Sequence, residues 1–318
     1  MSAASEAPVE IAVLGLLSPP VLAELARHFK THVVYTAPDP LAALRAIGPR
    51  IRGATSHGMA GISRAQLDLL PNLEIVAING VGLETSDVAG CRERGVVLTI
   101  TPVLYDDVAD VAIALALATC RRIVFNDRYL RGGEWLKARA PVGRKLTGMR
   151  AGIIGLGRIG VEIAHRLAAF KTVIGYVDPV ARDVPYQRYP DAVTLAKNSD
   201  ILFLAAAGAP KGAGQPIVDK AILEGLGPRG VFINIARGWL VDEPALVAAL
   251  VEGRLGGAGL DVFHDEPRVP EALLKLDNVV LTPHIASSTE ETVKAMGDMV
   301  VGNLVSWFSG KGALTPVG

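Results

Sequence analysis

Cysteine is nearly absent: Cys91 and Cys120 are the only two in 318 residues. Two distant thiols cannot build a disulfide framework or a zinc cluster, and both read as reduced core residues. No H-E-x-x-H or C-x-x-C pattern occurs, so no metal site is expected. An excess of one charge is missing too. The 32 Lys plus Arg balance 32 Asp plus Glu, and with no basic block to neutralise phosphates a nucleic-acid partner is excluded. The longest apolar runs, around 111–118 and 201–207, reach about ten residues, against roughly 20 for a membrane helix. The opening MSAASEAPVE lacks the basic and apolar regions of a signal peptide. The chain therefore reads as soluble and cytoplasmic. Aromatics are only 5%, but half the residues are apolar and 20% charged, ample for a core and outside the disordered class.

What is present is alternation. Apolar strand candidates at 10–16, 32–37, 51–58, 73–82 and 96–102 are separated by helical patterns, one of them N-capped by Ser63. A second alternating set starts at 150, with strand candidates at 172–178, 201–207, 231–237, 257–263 and 279–284. Strands alternating with helices imply parallel sheets covered on both faces. Between the two sets, residues 107–130 form a long Gly-free and Pro-free segment, apolar almost all round at its start, with Asp106 and Asp107 near its N-terminus. It reads as one buried helix between domains or subunits, so a homodimer is expected. Residues 289–308 read as a final amphipathic helix.

Gly155-Leu156-Gly157-Arg158-Ile159-Gly160 is a G-x-G-x-x-G between an apolar strand and a helix. The first glycine permits the turn, the second lets backbone approach a pyrophosphate, and the third allows close helix–strand packing. Asp178 follows 18 residues after Gly160 at the end of the next strand, where a carboxylate bonds ribose hydroxyls. Dinucleotide binding is the expectation. NAD is favoured over NADP, because a carboxylate there repels a 2′-phosphate; Arg182 and Arg158 are the cations that could answer one.

Hydride transfer to and from a 2-hydroxy acid needs a cation for the carboxylate and carbonyl. It also needs a proton carrier with pKa near 7 and a carboxylate to orient that carrier. Arg237, Glu266 and His284 sit at the ends of three successive strand candidates, where doubly wound sheets bind ligands. Taken singly, an arginine at a strand end is more often a surface ion pair, and a histidine more often structural.

Together with their surroundings these residues resemble the D-isomer-specific 2-hydroxyacid dehydrogenase family. The carrying motifs are GIIGLGRIG (152–160), NIARGWLVDEPALVAAL (234–250), GAGLDVFHDEP (257–267) and NVVLTPHIAS (278–287). Weaker likeness extends to NGVGLETSDV (79–88) and DDVADVAIALALA (106–118). The branch resembles reductases of hydroxypyruvate, hydroxyphenylpyruvate and 2-ketogluconate. The resemblance implies two Rossmann-like doubly wound domains with a cleft between them: a flavodoxin-like substrate domain at 1–100 and 284–318, and an NAD(P)-binding domain at 101–283. It implies that Arg237 clamps the substrate carboxylate, that His284 trades the proton, and that Glu266 pairs with it, whereas the adjacent His264 and Asp265 are bland and solvated. It assigns Gly155, Gly157, Arg158, Ile159, Gly160, Asp178, Ala236, Asp261 and Ser287 to the cofactor; for Asp261 a turn cap is the alternative. Val81 and Gly82, in the loop Asn79-Gly80-Val81-Gly82, would give N–H groups to the carboxylate, unless the loop is a simple turn. His57 and Met59 would line the pocket or merely pack, and Trp135 would pack locally or reach a neighbouring subunit's site.

Two departures stand out. After 201–207 most relatives carry Pro-x-Thr-x-x-Thr over the cofactor; here the chain reads AAAGAPKGAGQP. Tyr105 replaces a smaller residue before the long helix. The function expected is reduction of a small 2-keto acid such as glyoxylate or hydroxypyruvate, with 2-ketogluconate or hydroxyphenylpyruvate as alternatives. The rival from another class is a non-catalytic dinucleotide-sensing corepressor, for which retention of all three reactive residues has no use.

Overall fold

A computed structural model describes residues 8–208 and 210–317. They fall into two compact units, one formed by the chain up to Leu104 with Thr289 onward, the other by Tyr105–Ser288.

The first unit runs β1 (Glu10–Val13), α1 (Pro19–His28), β2 (Lys30–Val33), α2 (Pro40–Ile47), β3 (Ile51–His57), α3 (Arg64–Asp68), β4 (Ile75–Asn79), α4 (Val88–Glu93) and β5 (Val97–Thr99). Its five strands are all parallel in the order β2-β1-β3-β4-β5. Buried Ile11, Ile75, Ile78 and Ala54 line both faces, as a parallel sheet with helices on each side requires. Ser63 caps α3 in a reciprocal capping box with Gln66.

The second unit opens with α5 (Tyr105–Arg121) and α6 (Ile123–Arg131). It continues β6 (Arg150–Ile154), α7 (Arg158–Ala169), β7 (Val173–Val177), β8 (Gln187–Arg188), α8 (Ala192–Lys197), β9 (Ile201–Leu204), α9 (Lys220–Leu226), β10 (Val231–Asn234), α10 (Glu243–Val251), β11 (Gly257–Leu260), α11 (Glu271–Leu274) and β12 (Val279–Leu281). The chain then returns to the first unit as α12 (Glu290–Phe308), which packs on α1 and β4 there. The seven parallel strands run β12-β11-β10-β9-β6-β7-β8. The order reverses between β6 and β9, the switch point where such sheets bind ligands. Fully buried Phe203 and Phe232 anchor the sheet, each worth about 1.5–3 kcal/mol of burial.

The expected single helix over 107–130 is two helices. Arg122 adopts the left-handed conformation (φ 54°) and ends α5. Burial of α5 is met within its own unit, against α7, β10 and β11. Arg166 of α7 secures that packing by holding Asp106 (2.9 Å), Asp110 (2.6 Å) and Glu162 (2.9 Å). No residue of α6 is buried, so the apolar surface lies one helix later than the sequence suggested. Strands expected to reach 207, 237, 263 and 284 stop at 204, 234, 260 and 281. Side chains there replace the ladder: Asn234 Oδ1 accepts from the N–H of Ala236 (3.0 Å), and Asp261 takes the N–H groups of Ile285 and Ala286.

Lys171, just past α7, also sits in the left-handed region (φ 55°) with its N–H on the Ala168 carbonyl. Glycine removes the Cβ clash there. Lys171→Gly should stabilise the protein by about 0.5–1 kcal/mol after the unfolded-state entropy is subtracted. A denaturant midpoint that stays or falls would contradict this.

Candidate active site

The glycine turn closes the switch point. Gly155 has φ 88°, and a Cβ there would stand 2.5 Å from Ala206 Cα, just beyond β9. At Gly160 a Cβ would meet the Gly155 carbonyl oxygen at 2.1 Å, so only glycine lets α7 start this close to β6. A Cβ at Gly157 would meet nothing within 4 Å, and no side chain caps α7. Open space over bare N–H groups at a helix N-terminus fits a pyrophosphate. Asp178 is buried: Oδ2 accepts the Leu156 N–H (2.8 Å), while Oδ1 accepts from Val180 N–H (2.9 Å) and the Arg182 guanidinium (3.3 Å). Arg158 is held on Tyr105, donating to its hydroxyl (2.7 Å). Of the two candidate arginines, Arg182 is therefore the one at Asp178. One residue of the altered loop, Ala209, lies outside the described residues.

Beyond the same C-terminal edge, the loops after β10, β11 and β12 bring Arg237, Glu266 and His284 together. His284 Nδ1 lies 2.8 Å from Glu266 Oε2, and Glu266 Oε1 accepts the N–H of Phe263 (3.0 Å). Burial works against ionising Glu266. The His284 hydrogen bond, the Phe263 N–H and the charges of His284 and Arg237 outweigh it and hold the carboxyl below its ordinary range. Glu266 therefore stays ionised at neutral pH and loses its charge only as pH falls through its lowered carboxyl pKa. With Glu266 ionised, Nδ1 is the donor, and Nε2 of the partly exposed ring has no partner among the described residues. His284 itself is left-handed (φ 53°), an outlier of the kind that clusters at functional sites.

Asp261 imposes that conformation. It is wholly buried; Oδ1 accepts from the Thr282 hydroxyl (2.7 Å) and Ile285 N–H (2.9 Å), and Oδ2 from Ala286 N–H (2.9 Å). Burial pushes its carboxyl pKa up despite these bonds. The geometry is that of the turn cap, the alternative reading of this residue. On β10's side, a Cβ at Gly238 would stand 1.9 Å from the Phe263 carbonyl carbon. Glycine at 238 thus lets the Arg237 loop lie against the Glu266 loop. Thr282 and Gly238 were not singled out from sequence; their signals are a hydroxyl two residues before His284 and the glycine directly after Arg237.

In the first unit, Gly80 donates its N–H to Thr101 Oγ1 (2.8 Å), while the N–H groups of Val81 and Gly82 have no partner among the described residues. His57, paired with Asn79 in the parallel register of β3 and β4, accepts the Met59 N–H at Nδ1 (3.2 Å). Burial lowers its pKa, which leaves a neutral ring with an Nε2 donor. Ala236 is buried, Ile159 and Ser287 are half-buried, and Trp135 is exposed. Asp265 is exposed and paired with Arg268, and His264 donates its N–H to Glu243.

The comparisons give the family of the chain. The family described as "D-isomer specific 2-hydroxyacid dehydrogenase, NAD binding domain" matches residues 113–286. The chain is 49% identical over 296 residues to hydroxyphenylpyruvate reductase of Plectranthus scutellarioides, covering 92% of this chain and 94% of that one. The solved 2-hydroxyacid dehydrogenase of Ketogulonicigenium vulgare Y25 superposes with a TM-score of 0.91 at 43% identity, covering 98% of each chain. An NADPH-dependent glyoxylate/hydroxypyruvate reductase of Sinorhizobium meliloti, solved with NADP and malonate, gives 0.89 at 40% identity over 98% and 97% of the two chains. The chain belongs to the D-isomer specific 2-hydroxyacid dehydrogenase family. It is an NAD(P)-dependent oxidoreductase acting on the CH–OH group of 2-hydroxy acids.

Proposed function

We propose that Arg237, Glu266 and His284 carry the reduction of a small 2-keto acid, glyoxylate or hydroxypyruvate. The observation that carries this reading is the 2.8 Å His284–Glu266 hydrogen bond with the Arg237 charge beside it. The Arg237 fork suits a carboxylate and polarises the adjacent carbonyl. Glu266 fixes the imidazole with Nδ1 protonated, and Nε2 gives its proton to the carbonyl oxygen in reduction and takes it back in oxidation. Bound NAD(P)H supplies the hydride to C2. Gly155, Gly157, Arg158, Ile159, Gly160, Asp178, Ala236 and Ser287 form the proposed cofactor contacts, with Asp261 as the residue that positions His284. Val81 and Gly82 of the first unit are proposed carboxylate donors and His57 a substrate-pocket residue. The malonate of the Sinorhizobium relative and that relative's named substrates support a small dicarboxylate-sized ligand. A second reading, an arylpyruvate, is favoured by an apolar cavity of about 280 Å³ beside the pair, lined by Phe263, Pro267, Val269, Leu274 and Leu281. Turnover on a panel of glyoxylate, hydroxypyruvate and phenylpyruvates decides between them.

His284→Ala should lower kcat by roughly 10²–10⁴-fold, the worth of a positioned proton donor, with cofactor binding intact. In Glu266→Gln the alkaline limb of the reduction profile should move to lower pH, because the imidazolium loses its anion. Near-normal turnover in the first variant, or an unmoved profile in the second, removes the assignment.

NAD is the proposed cofactor, with NADP as the lesser choice, on the strength of the Asp178 carboxylate. The kcat/KM ratio for NADH over NADPH should exceed one, and Asp178→Ser should lower it. A wild-type ratio well below one overturns the choice.

We further propose a cytoplasmic homodimer. Its support is the exposed apolar surface of α6 and the turn after it, where Val124, Leu130, Trp135 and Leu136 face outward, Leu136 at 93% exposure. Light scattering at micromolar concentration should give twice the 33.4 kDa chain mass. A monomer there refutes the dimer.

A further inference from the structure

A second cavity lies on the opposite edge of the seven-stranded sheet. Its lining comes from the C-terminus of α5 (Thr119, Cys120), Arg122, the segment Val142–Arg144, and the residues just before β10, β11 and β12: Arg229, Gly256 and Asn278. Arg237, Glu266 and His284 follow the C-terminal ends of those same three strands. Three or four strand residues, roughly 10–13 Å of sheet, separate the two edges. This cavity of about 200 Å³ is therefore no part of the site described above.

Three guanidiniums line it, Arg122, Arg144 and Arg229, and no carboxylate does. The neighbouring acids pair first with other arginines, Asp277 with Arg128 (3.0 Å) and Asp200 with Arg150 (2.9 Å), although Asp200 also feels the charge of Arg144. Arg144 spends one N–H on the Arg229 carbonyl and its backbone N–H on the Cys120 carbonyl. The end of α5 is thus held by the Arg144 backbone N–H, and the Arg229 carbonyl uses one of the five Arg144 side-chain donors. Arg122 rests its guanidinium 4.7 Å from the Phe125 ring centroid, and its Nε is buried without a hydrogen-bond partner. It does so from a left-handed backbone that arginine seldom adopts. A buried donor with no protein partner, in a cavity lined by three arginines and no acid, is suited to an anionic acceptor.

We propose that this cavity binds a dianionic phosphoryl group, as free phosphate or as a small phosphomonoester. The planar arginine fork matches phosphoryl oxygens bidentately, and the volume leaves room for a short organic substituent. The inference does not rest on the reaction assigned above.

The test is thermal stability of the full protein under saturating NADH, which occupies the glycine turn. Inorganic phosphate and glycerol phosphate are titrated against chloride at matched ionic strength. A saturable rise in Tm is expected. Arg229→Gln, at an exposed position, and Arg122→Gln should each weaken the apparent affinity roughly tenfold, the effect of one lost charge-assisted contact. Arg237→Gln should leave it unchanged. A rise with phosphate alone identifies the free ion, and a rise with both identifies the ester as a ligand. The proposal is overturned by no saturable rise, by a rise seen only without NADH, or by full affinity in Arg229→Gln.

Discussion

The chemistry of the second unit depends on one buried carboxylate. Asp261 ends β11 with no exposed surface and spends both oxygens on the turn that follows β12, two residues short of His284 and one and two beyond it. Without these bonds the buried Ala286 N–H would be left unpaired, at about 1–3 kcal/mol, and the part-buried Ile285 N–H and Thr282 hydroxyl would lose their acceptor. That is enough to hold His284 in the left-handed region, which costs roughly 1–3 kcal/mol. The turn so fixed aims Nδ1 at Glu266. Glu266 is itself positioned by the Phe263 N–H, two residues after Asp261. The carboxylate of Asp261 thus sets the turn that carries His284, and the chain just beyond Asp261 supplies the N–H that holds Glu266.

Parallel topology explains why these groups gather on one edge. Each strand of the seven-stranded sheet delivers its following loop to the same side. The glycine turn after β6, Arg237 after β10, Glu266 after β11 and His284 after β12 share it although 129 residues separate Gly155 from His284. Glycines let the loops close on one another: Gly155 against the chain beyond β9, Gly238 against the chain beyond β11. The opposite edge receives the loops that start the strands. There the carbonyl-rich end of α5 calls for cations, and arginines collect.

Patterns that rest on local chemistry were legible in the sequence. The glycine turn, the Ser63 cap and the alternation of strands and helices each follow from residue type at fixed spacing, and each is present. The three residues proposed to react were picked out only through their motifs, since nothing local tells His284 from a structural histidine. The break at Arg122 was not legible. No glycine or proline marks it, and the cause is tertiary: Arg144 takes the Cys120 carbonyl and Phe125 takes the Arg122 side chain. Strand ends were overrun for a related reason. After β10, Asn234 turns the backbone by taking the Ala236 N–H, and after β12, Asp261 does so by taking the N–H groups of Ile285 and Ala286. A hydrophobicity pattern cannot register this.

Asp178 was legible in position but not in state. A carboxylate offers about four acceptor sites. Here the Leu156 N–H takes one on Oδ2, and Val180 N–H and Arg182 take two on Oδ1. One site on Oδ2 remains, enough for a single further donor. The Leu156 bond ties the carboxylate to the glycine turn itself, so this aspartate shapes the cradle as well as facing into it. The Arg182 guanidinium offsets part of the negative charge that would repel a 2′-phosphate, at 3.3 Å and about 40% exposed. Discrimination by charge is therefore weaker than a bare carboxylate would give. What remains is the demand of Oδ2 for a hydrogen-bond donor. In the cofactor role proposed for Asp178, a ribose hydroxyl would meet that demand and a phosphate ester would not, so the proposed NAD preference rests on donor supply more than on repulsion.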